Sequence, residues 1–171
     1  MQSLLLPKLY VDSIHHIDLD DLKARGIDTI VTDLDNTLVP WAECEANPTM
    51  LAWLEHVREK GFKICLLSNA LEPRIAYFRE VMGVPGLSKA NKPSRRAFLQ
   101  ALEMLGSRPA QTAMVGDQIF TDVLGGNRLG LYTILVMPLC RKEFIGTRIV
   151  RLVERIILRN LVPTKRGIPR R

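Results

Sequence analysis

The stretch Ile27-Asp28-Thr29-Ile30-Val31-Thr32-Asp33-Leu34-Asp35-Asn36-Thr37 reads as an apolar strand that ends in two carboxylates. The pattern returns far downstream, where Thr112 to Val115 leads into Gly116-Asp117-Gln118-Ile119-Phe120-Thr121-Asp122. Parallel strands bring their carboxyl ends to one edge of a sheet, and ligands of open α/β sheets bind at that edge. Carboxylates gathered there repel one another, and a hard divalent cation such as Mg²⁺ satisfies them best. The two stretches point to metal-assisted chemistry on an anionic substrate.

Outward from Thr29–Thr32, strand and helix signals alternate, which predicts a parallel sheet with helices packed on it. Asn47 caps a helix, Pro48 fits its first turn, and Leu51, Leu54 and Val57 keep helical spacing as far as Lys60-Gly61. A strand from Lys63 to Leu67 follows, then a helix from about Pro73 to Met82 stopped by Gly83, and a short strand from Val84 to Leu87. Pro93 opens a helix with Phe98, Leu99, Leu102 and Leu105 on one side, closed by Gly106. Strands at Thr112 to Val115 and Tyr132 to Val136 come next, and a last helix is expected from about Glu143 to Asn160. Residues 1–140 are expected to form the core, and 141–171 a basic amphipathic helix and tail of the same domain or peripheral to it.

At 171 residues and 47% hydrophobic, the chain can bury one good core and is neither disordered nor fibrous. No apolar stretch reaches the roughly 18 residues of a membrane span. Leu4-Leu5-Leu6 is broken by Pro7 and Lys8, and a signal-peptide pattern is absent, so a cytoplasmic location is expected, with peripheral attachment to the inner face of the membrane as an option. Cys44, Cys65 and Cys140 are odd in number and widely spaced, which suits reduced structural thiols. The net charge of +6 is unevenly placed. Residues 141–171 hold ten Lys/Arg against Glu143 and Glu154, while the other 140 residues hold 14 bases against 16 acids. Such a basic segment suits an anionic partner, or solubility.

Four polar clusters now stand at successive strand or helix junctions: Asp33-x-Asp35-x-Thr37, Ser68-Asn69, Lys92-Pro93, and Gly116-Asp117-x-x-x-Thr121-Asp122. They supply a carboxylate nucleophile, a hydroxyl beside a helix N-terminus for phosphate oxygens, a lysine, and metal-binding acids, the parts that phosphoryl transfer requires. Taken singly, Ser68-Asn69 reads as a helix cap, Lys92 as solvated surface and Gly116-Asp117 as a turn. Those readings leave the ordered recurrence at strand ends unexplained. The quartet resembles the haloacid dehalogenase superfamily of phosphatases over about residues 27–136. The resemblance implies a three-layer Rossmann-like α/β fold with helices on both faces of the sheet. It implies that Asp33 attacks phosphorus to form an aspartyl phosphate, and that Asp35 protonates the leaving oxygen and then activates water. It implies that Ser68 holds a phosphate oxygen, with Thr37 and Asn69 also contacting substrate, and that Lys92 neutralises charge. Asp33, the backbone carbonyl of Asp35, and Asp117 would bind Mg²⁺, with Asp122 supporting the metal. Lys89 and Lys92 compete for the lysine role, and the Lys-Pro pattern favours Lys92.

Spacing adds that no cap domain fits: Thr37 to Ser68 leaves room for a loop and a helix, and Asn69 to Lys92 for a helix and a short strand. An open site suits a substrate that is bulky or attached to something large. Trp41, in the loop after Thr37, is a candidate to line the open site, and Trp53 is expected in the packing. In the last helix Arg148, Arg151, Arg155 and Arg159 share a narrow face, with Ile145, Ile149, Leu152, Val153, Ile156 and Ile157 on a broad one. Such a helix suits an anionic membrane surface, or docking on the sheet or on a twin subunit in a homo-oligomer. The tail lacks interleaved aromatics for stacking, which argues against nucleic acid. Within the superfamily the chain resembles the bacterial YqeG-like subgroup in its Leu-Pro-Lys opening, Ser13-Ile14, Ile17-Asp18, Asp33 to Leu38 and Val115 to Gln118. That subgroup is similar to mitochondrial and plastid phosphatidylglycerophosphate phosphatases, which suggests a lipid head-group phosphate as substrate. A soluble phosphatase for a nucleotide, sugar phosphate or nucleic-acid end, and a non-catalytic adaptor with a basic tail, are the competing readings.

Overall fold

The computed structural model describes residues 4–140; the helix expected near 143–160 and the basic segment 141–171 lie outside the described residues. The elements are β1 (Leu9–Val11), α1 (Leu19–Ala24), β2 (Thr29–Thr32), α2 (Pro48–Glu59), β3 (Lys63–Leu67), α3 (Glu72–Met82), β4 (Gly86–Leu87), α4 (Arg95–Leu105), β5 (Thr112–Gly116), α5 (Leu124–Leu129) and β6 (Tyr132–Val136). They build a six-stranded sheet in the order β1-β6-β5-β2-β3-β4, parallel throughout. From β2 the chain winds one way to β3 and β4, then crosses back to place β5 and β6 on the other side. The β2/β5 boundary is therefore the switch point of the sheet, where its carboxyl edge opens a crevice.

The strands are apolar on both faces because both faces are covered. Ile30, Ile64, Ala113 and Val115 pack with α1, α2 and α3 residues such as Leu22, Trp53, Leu54, Ile75 and Phe78 in one core. Val31, Cys65, Leu67 and Met114 pack with Ala97, Phe98 and Ala101 of α4 in the other. Trp53 is packing, as expected, and burial pushes the Cys65 thiol up to about 12, which leaves it inert. Each of the two connections that could host a cap holds a single helix, α2 or α3, so the carboxyl edge is uncovered there.

Three expectations need correction. α4 starts at Arg95 rather than Pro93, because Asn91 is left-handed (φ 52°) and Ser94 is still extended, so this backbone presents Lys92 before the helix begins. Leu99 does not share the buried side of α4; it is 49% exposed. It lies one residue past Phe98, about 100° around the helix, beyond the stripe formed by Ala97, Phe98, Ala101 and Leu102. The short strand is confined to Gly86–Leu87. Three elements also went unread in the sequence. β1 has three residues, α1 has six behind the Asp18 cap, and α5 carries Gly125-Gly126, poor helix formers. Gly125 is there for space: a Cβ would fall 2.3 Å from the Phe98 ring.

Candidate active site

Asp33 follows β2 directly, and its amide still donates to Val115 O at 2.9 Å, so the β2–β5 ladder fixes the first carboxylate at the switch point. The chain then turns sharply. Asn36 takes a left-handed conformation (φ 62°), which Asn tolerates better than most residues, and its amide donates to Val39 O. Leu34, Leu38 and Val39 anchor the turn in the core. Ser68 continues β3 in the same manner, its amide donating to Leu87 O at 3.0 Å, while its hydroxyl accepts from the Ala70 amide at 3.1 Å. Asn69 Oδ1 accepts from the Lys92 amide at 2.8 Å and so pins the lysine loop to the end of β3.

Lys92 is buried, and its ammonium lies 2.7 Å from Asp33 Oδ1 and 2.8 Å from Asp122 Oδ1. Lys89 is exposed, and of the two lysines it is Lys92 that meets these acids. Asp122 sits in the π-helical turn Ile119–Val123 after β5, and its Oδ2 accepts from the Gln118 amide. Gly116 is required beneath it, because a Cβ there would lie 2.2 Å from Asp122 Oδ2. Asp117 is 1% exposed and accepts from the Thr37 hydroxyl at 3.3 Å.

Asp33, Asp117 and Asp122 offer oxygens that all lie within 4.8 Å of one another, and all three residues are buried. Among the described residues Lys92 is the one buried base, in contact with Asp33 and Asp122, against three buried carboxylates, a surplus of negative charge in a place where unbalanced charge is costly. The imbalance shows at Asp33. Burial above all, with the charges of Asp122 and Asp35, outweighs Lys92 and pushes its carboxyl up to about 6. Burial alone would lower Lys92, but Asp122 and Asp33 more than offset it and hold the ammonium above the ordinary lysine value. An all-oxygen set with surplus negative charge fits a hard divalent cation such as Mg²⁺.

A cleft of about 80 Å³ opens beside this cluster, lined by Asp33, Asp35, Ser68, Asn69, Ala70, Lys92, Gln118 and Thr121. That is space for a few waters, hence for a phosphoryl group and not for a whole nucleotide or lipid. Of the residues singled out in the sequence, Asp33, Asp35, Ser68, Asn69 and Lys92 line the cleft, and Asp117 and Asp122 stand with Asp33 in the acidic cluster. Thr37, expected at the substrate, is 1% exposed and outside the lining, and its hydroxyl donates to Asp117. Trp41 stands at the rim rather than in the lining, 46% exposed, its amide donating to Asn36 Oδ1.

One residue the sequence reading missed is Arg74, in the first turn of α3. Its guanidinium lies 2.8 Å from Asp35 Oδ1 and donates to Glu43 O at 2.6 Å, so it ties Asp35 to the Pro40–Glu43 loop. Nothing in the residue itself marks it. The available signal was its place one helical turn after the polar end of β3. Gln118 and Thr121 were quoted within a motif but given no role, and both line the cleft.

The model of the haloacid dehalogenase-like hydrolases matches residues 15–130. The chain is 42% identical over 158 residues to a protein of Bacillus subtilis (strain 168) named "Probable phosphatase YqeG", covering 92% of each. It is 34% identical over 166 residues to the chloroplastic phosphatidylglycerophosphate phosphatase 1 of Chlamydomonas reinhardtii, over 90% of this chain and 61% of that protein. Among solved structures, that of an uncharacterized protein from Listeria monocytogenes serotype 4b superposes with a TM-score of 0.54 at 17% identity, over 79% of this chain and all of the other, a likeness of fold.

Proposed function

This chain belongs to the haloacid dehalogenase-like hydrolases and is a phosphatase, and we propose that it hydrolyses a lipid phosphate monoester, phosphatidylglycerophosphate or a near relative, through an aspartyl phosphate on Asp33. The observation that carries the chemistry is the buried Asp33–Lys92–Asp122 cluster at the floor of a phosphoryl-sized cleft. A carboxylate of Asp33 attacks phosphorus while the bond to the leaving oxygen breaks, and Asp35 gives that oxygen its proton. Asp35 then takes a proton from water, the water oxygen bonds to phosphorus, the bond to Asp33 breaks, and inorganic phosphate leaves. Lys92 holds Asp33 in place and faces the phosphoryl charge, and the Ser68 hydroxyl is placed to donate to a phosphoryl oxygen. Asp33, Asp117 and Asp122 would hold Mg²⁺, with the Asp35 backbone carbonyl as a further ligand. When bound, the ion neutralises charge on the phosphoryl oxygens.

The lipid reading is supported by the named activity of the Chlamydomonas relative, by the uncapped carboxyl edge, and by a cleft that leaves the rest of any substrate outside. The test is a phosphate-release screen of phosphatidylglycerophosphate, nucleotides and sugar phosphates, with Mg²⁺ and with chelator. Preferred release from the lipid, lost in chelator, is expected. Preference for a nucleotide or sugar phosphate would overturn the substrate, and release undiminished by chelator would overturn the metal.

A further inference from the structure

The cleft takes in only a phosphoryl group, so the body of the substrate rests on whatever surrounds the mouth. Exposed apolar side chains stand beside its lining. Leu71, just after the lining residues Asn69 and Ala70, caps α3 and is 65% exposed. Asn36 holds two more such residues, one on each of its acceptors. The Trp41 amide donates to its Oδ1 at 3.3 Å, and the Leu139 amide to its carbonyl at 3.0 Å. Both are nearly half exposed, at 46% and 47%. The Leu139 bond means that the chain leaves β6, passes the end of β5, and returns to the turn that carries Asp35. Met137 is 42% exposed on the same crossing, its amide donating to Val11 O. Large exposed apolar side chains gathered at one edge of a sheet mark an interaction surface.

We propose that this rim (Trp41, Leu71 and Leu139) seats the mouth of the site on a bilayer containing anionic glycerolipid, so that the phosphorylated head group enters the cleft while its chains stay in the membrane. The proposal deepens the lipid-phosphate reading and rests on it. Charge selects the occupant. Among the described residues the exposed charges near the cleft balance, Lys89, Arg95 and Arg96 against Glu43, Glu45 and Glu72. Two residues past Leu139 begins the segment 141–171, with ten bases and two acids. A second copy carries the same basic segment and would be repelled, whereas an anionic membrane surface attracts it, and an indole with leucines matches the interfacial layer.

Trp41 makes the proposal directly readable, because Trp53 is 5% exposed and reports the core. The full chain is mixed with vesicles of phosphatidylcholine containing phosphatidylglycerol at low salt, and emission and acrylamide quenching are followed. A blue shift and protection of Trp41 are expected. In Leu71→Asn/Leu139→Asn, vesicle affinity is expected to fall on the order of tenfold while hydrolysis of p-nitrophenyl phosphate stays within about twofold of wild type. Co-sedimentation without any change at Trp41 would overturn the rim in favour of attachment through 141–171 alone. Protection of Trp41 from quencher before vesicles are added would overturn it in favour of cover by the chain itself. Hydrolysis of phosphatidylglycerophosphate by wild type and double variant alike on vesicles would overturn the rim and leave the substrate standing. Trp41 insertion without hydrolysis of that lipid supports the surface and removes the substrate.

Discussion

Asp33 and Asp35 stand two residues apart at the end of one strand, yet they occupy opposite kinds of surroundings. Asp33 is 4% exposed and faces a buried lysine that also holds Asp122, partners drawn from 59 and 89 residues downstream. The Asp35 side chain is 26% exposed and faces Arg74, itself one-fifth exposed and tied to a surface loop. Two identical groups are thus given two tasks by what packs around them. Burial and surplus negative charge suit a fixed nucleophile beside a cation. A half-open place at the mouth suits a group that must exchange protons with a leaving group and with water.

The sharpest way to break this contrast is Asp33→Asn. Removing the attacking group is expected to lower turnover by a factor on the order of 10⁴ or more, measured as phosphate release from p-nitrophenyl phosphate. Stability should not suffer, because the change also removes one of three crowded carboxylates. Near-wild-type turnover would sink the nucleophile assignment. Asp35→Asn comes next, with a loss of roughly 10²–10⁴-fold on an alkyl phosphate. The loss should be smaller on p-nitrophenyl phosphate, whose leaving group needs little help from a proton. Equal losses on both esters would remove Asp35 from the acid role.

The metal-free protein offers a comparison that needs no turnover. Asp33 has an ordinary value of 3.8 when unfolded and is pushed up to about 6 when folded, so the folded state holds its proton more tightly. Its contribution to stability is therefore present below pH 4, falls as pH rises toward 6, and is gone above it. The loss is on the order of 1–3 kcal/mol, which for this length is several degrees in Tm. In chelator, the Tm of Asp33→Asn minus that of wild type should grow between pH 5 and pH 7.5. Mg²⁺ should raise the wild-type Tm more at pH 7.5 than at pH 5. A difference that shrinks with pH, or an equal Mg²⁺ shift at both, would show that Asp33 is not the strained carboxylate.

The same contrast explains what the sequence disclosed. The residues of the buried cluster are polar groups in places where an apolar strand has just ended, and Asp33, Ser68, Lys92, Asp117 and Asp122 stand out against their neighbours for that reason. The central strands that carry them are short, largely apolar and buried runs covered on both faces, so the centre of the sheet was legible too. β1 and α5 were not. One is too short to show a period, and the other carries Gly125 to clear Phe98 and Gly126 to clear Thr133, so its local preference runs against helix and close packing prevails. The surroundings of Thr37 were not legible, because a hydroxyl after a motif looks the same whether it faces a ligand or, as here, Asp117. Arg74 was invisible because an arginine on a surface helix is ordinary; only the fold brings it to Asp35.

Arg74 is accordingly where the smallest effect and the finest test lie. The guanidinium does not line the cleft; it reaches the chemistry through Asp35 and through the Glu43 and Pro40 carbonyls. It is a positioning residue, and its loss should cost far less than that of the acid it holds. Arg74→Gln is expected to lower kcat on an alkyl phosphate by roughly threefold to tenfold, in line with the modest worth of a partly exposed charge-assisted bond. Arg74→Lys should recover part of the loss, because a point charge can reach Asp35 but cannot span Asp35 and the loop together. The decisive measurement is the double variant. If Arg74 acts by holding Asp35, then adding Arg74→Gln to Asp35→Asn should change kcat little beyond the single Asp35→Asn loss, a coupling as large as the Arg74 effect itself. Losses that multiply instead would mean that Arg74 serves the substrate or the loop independently, and the separation between a fixed buried carboxylate and a held, half-open one would have to be drawn without it.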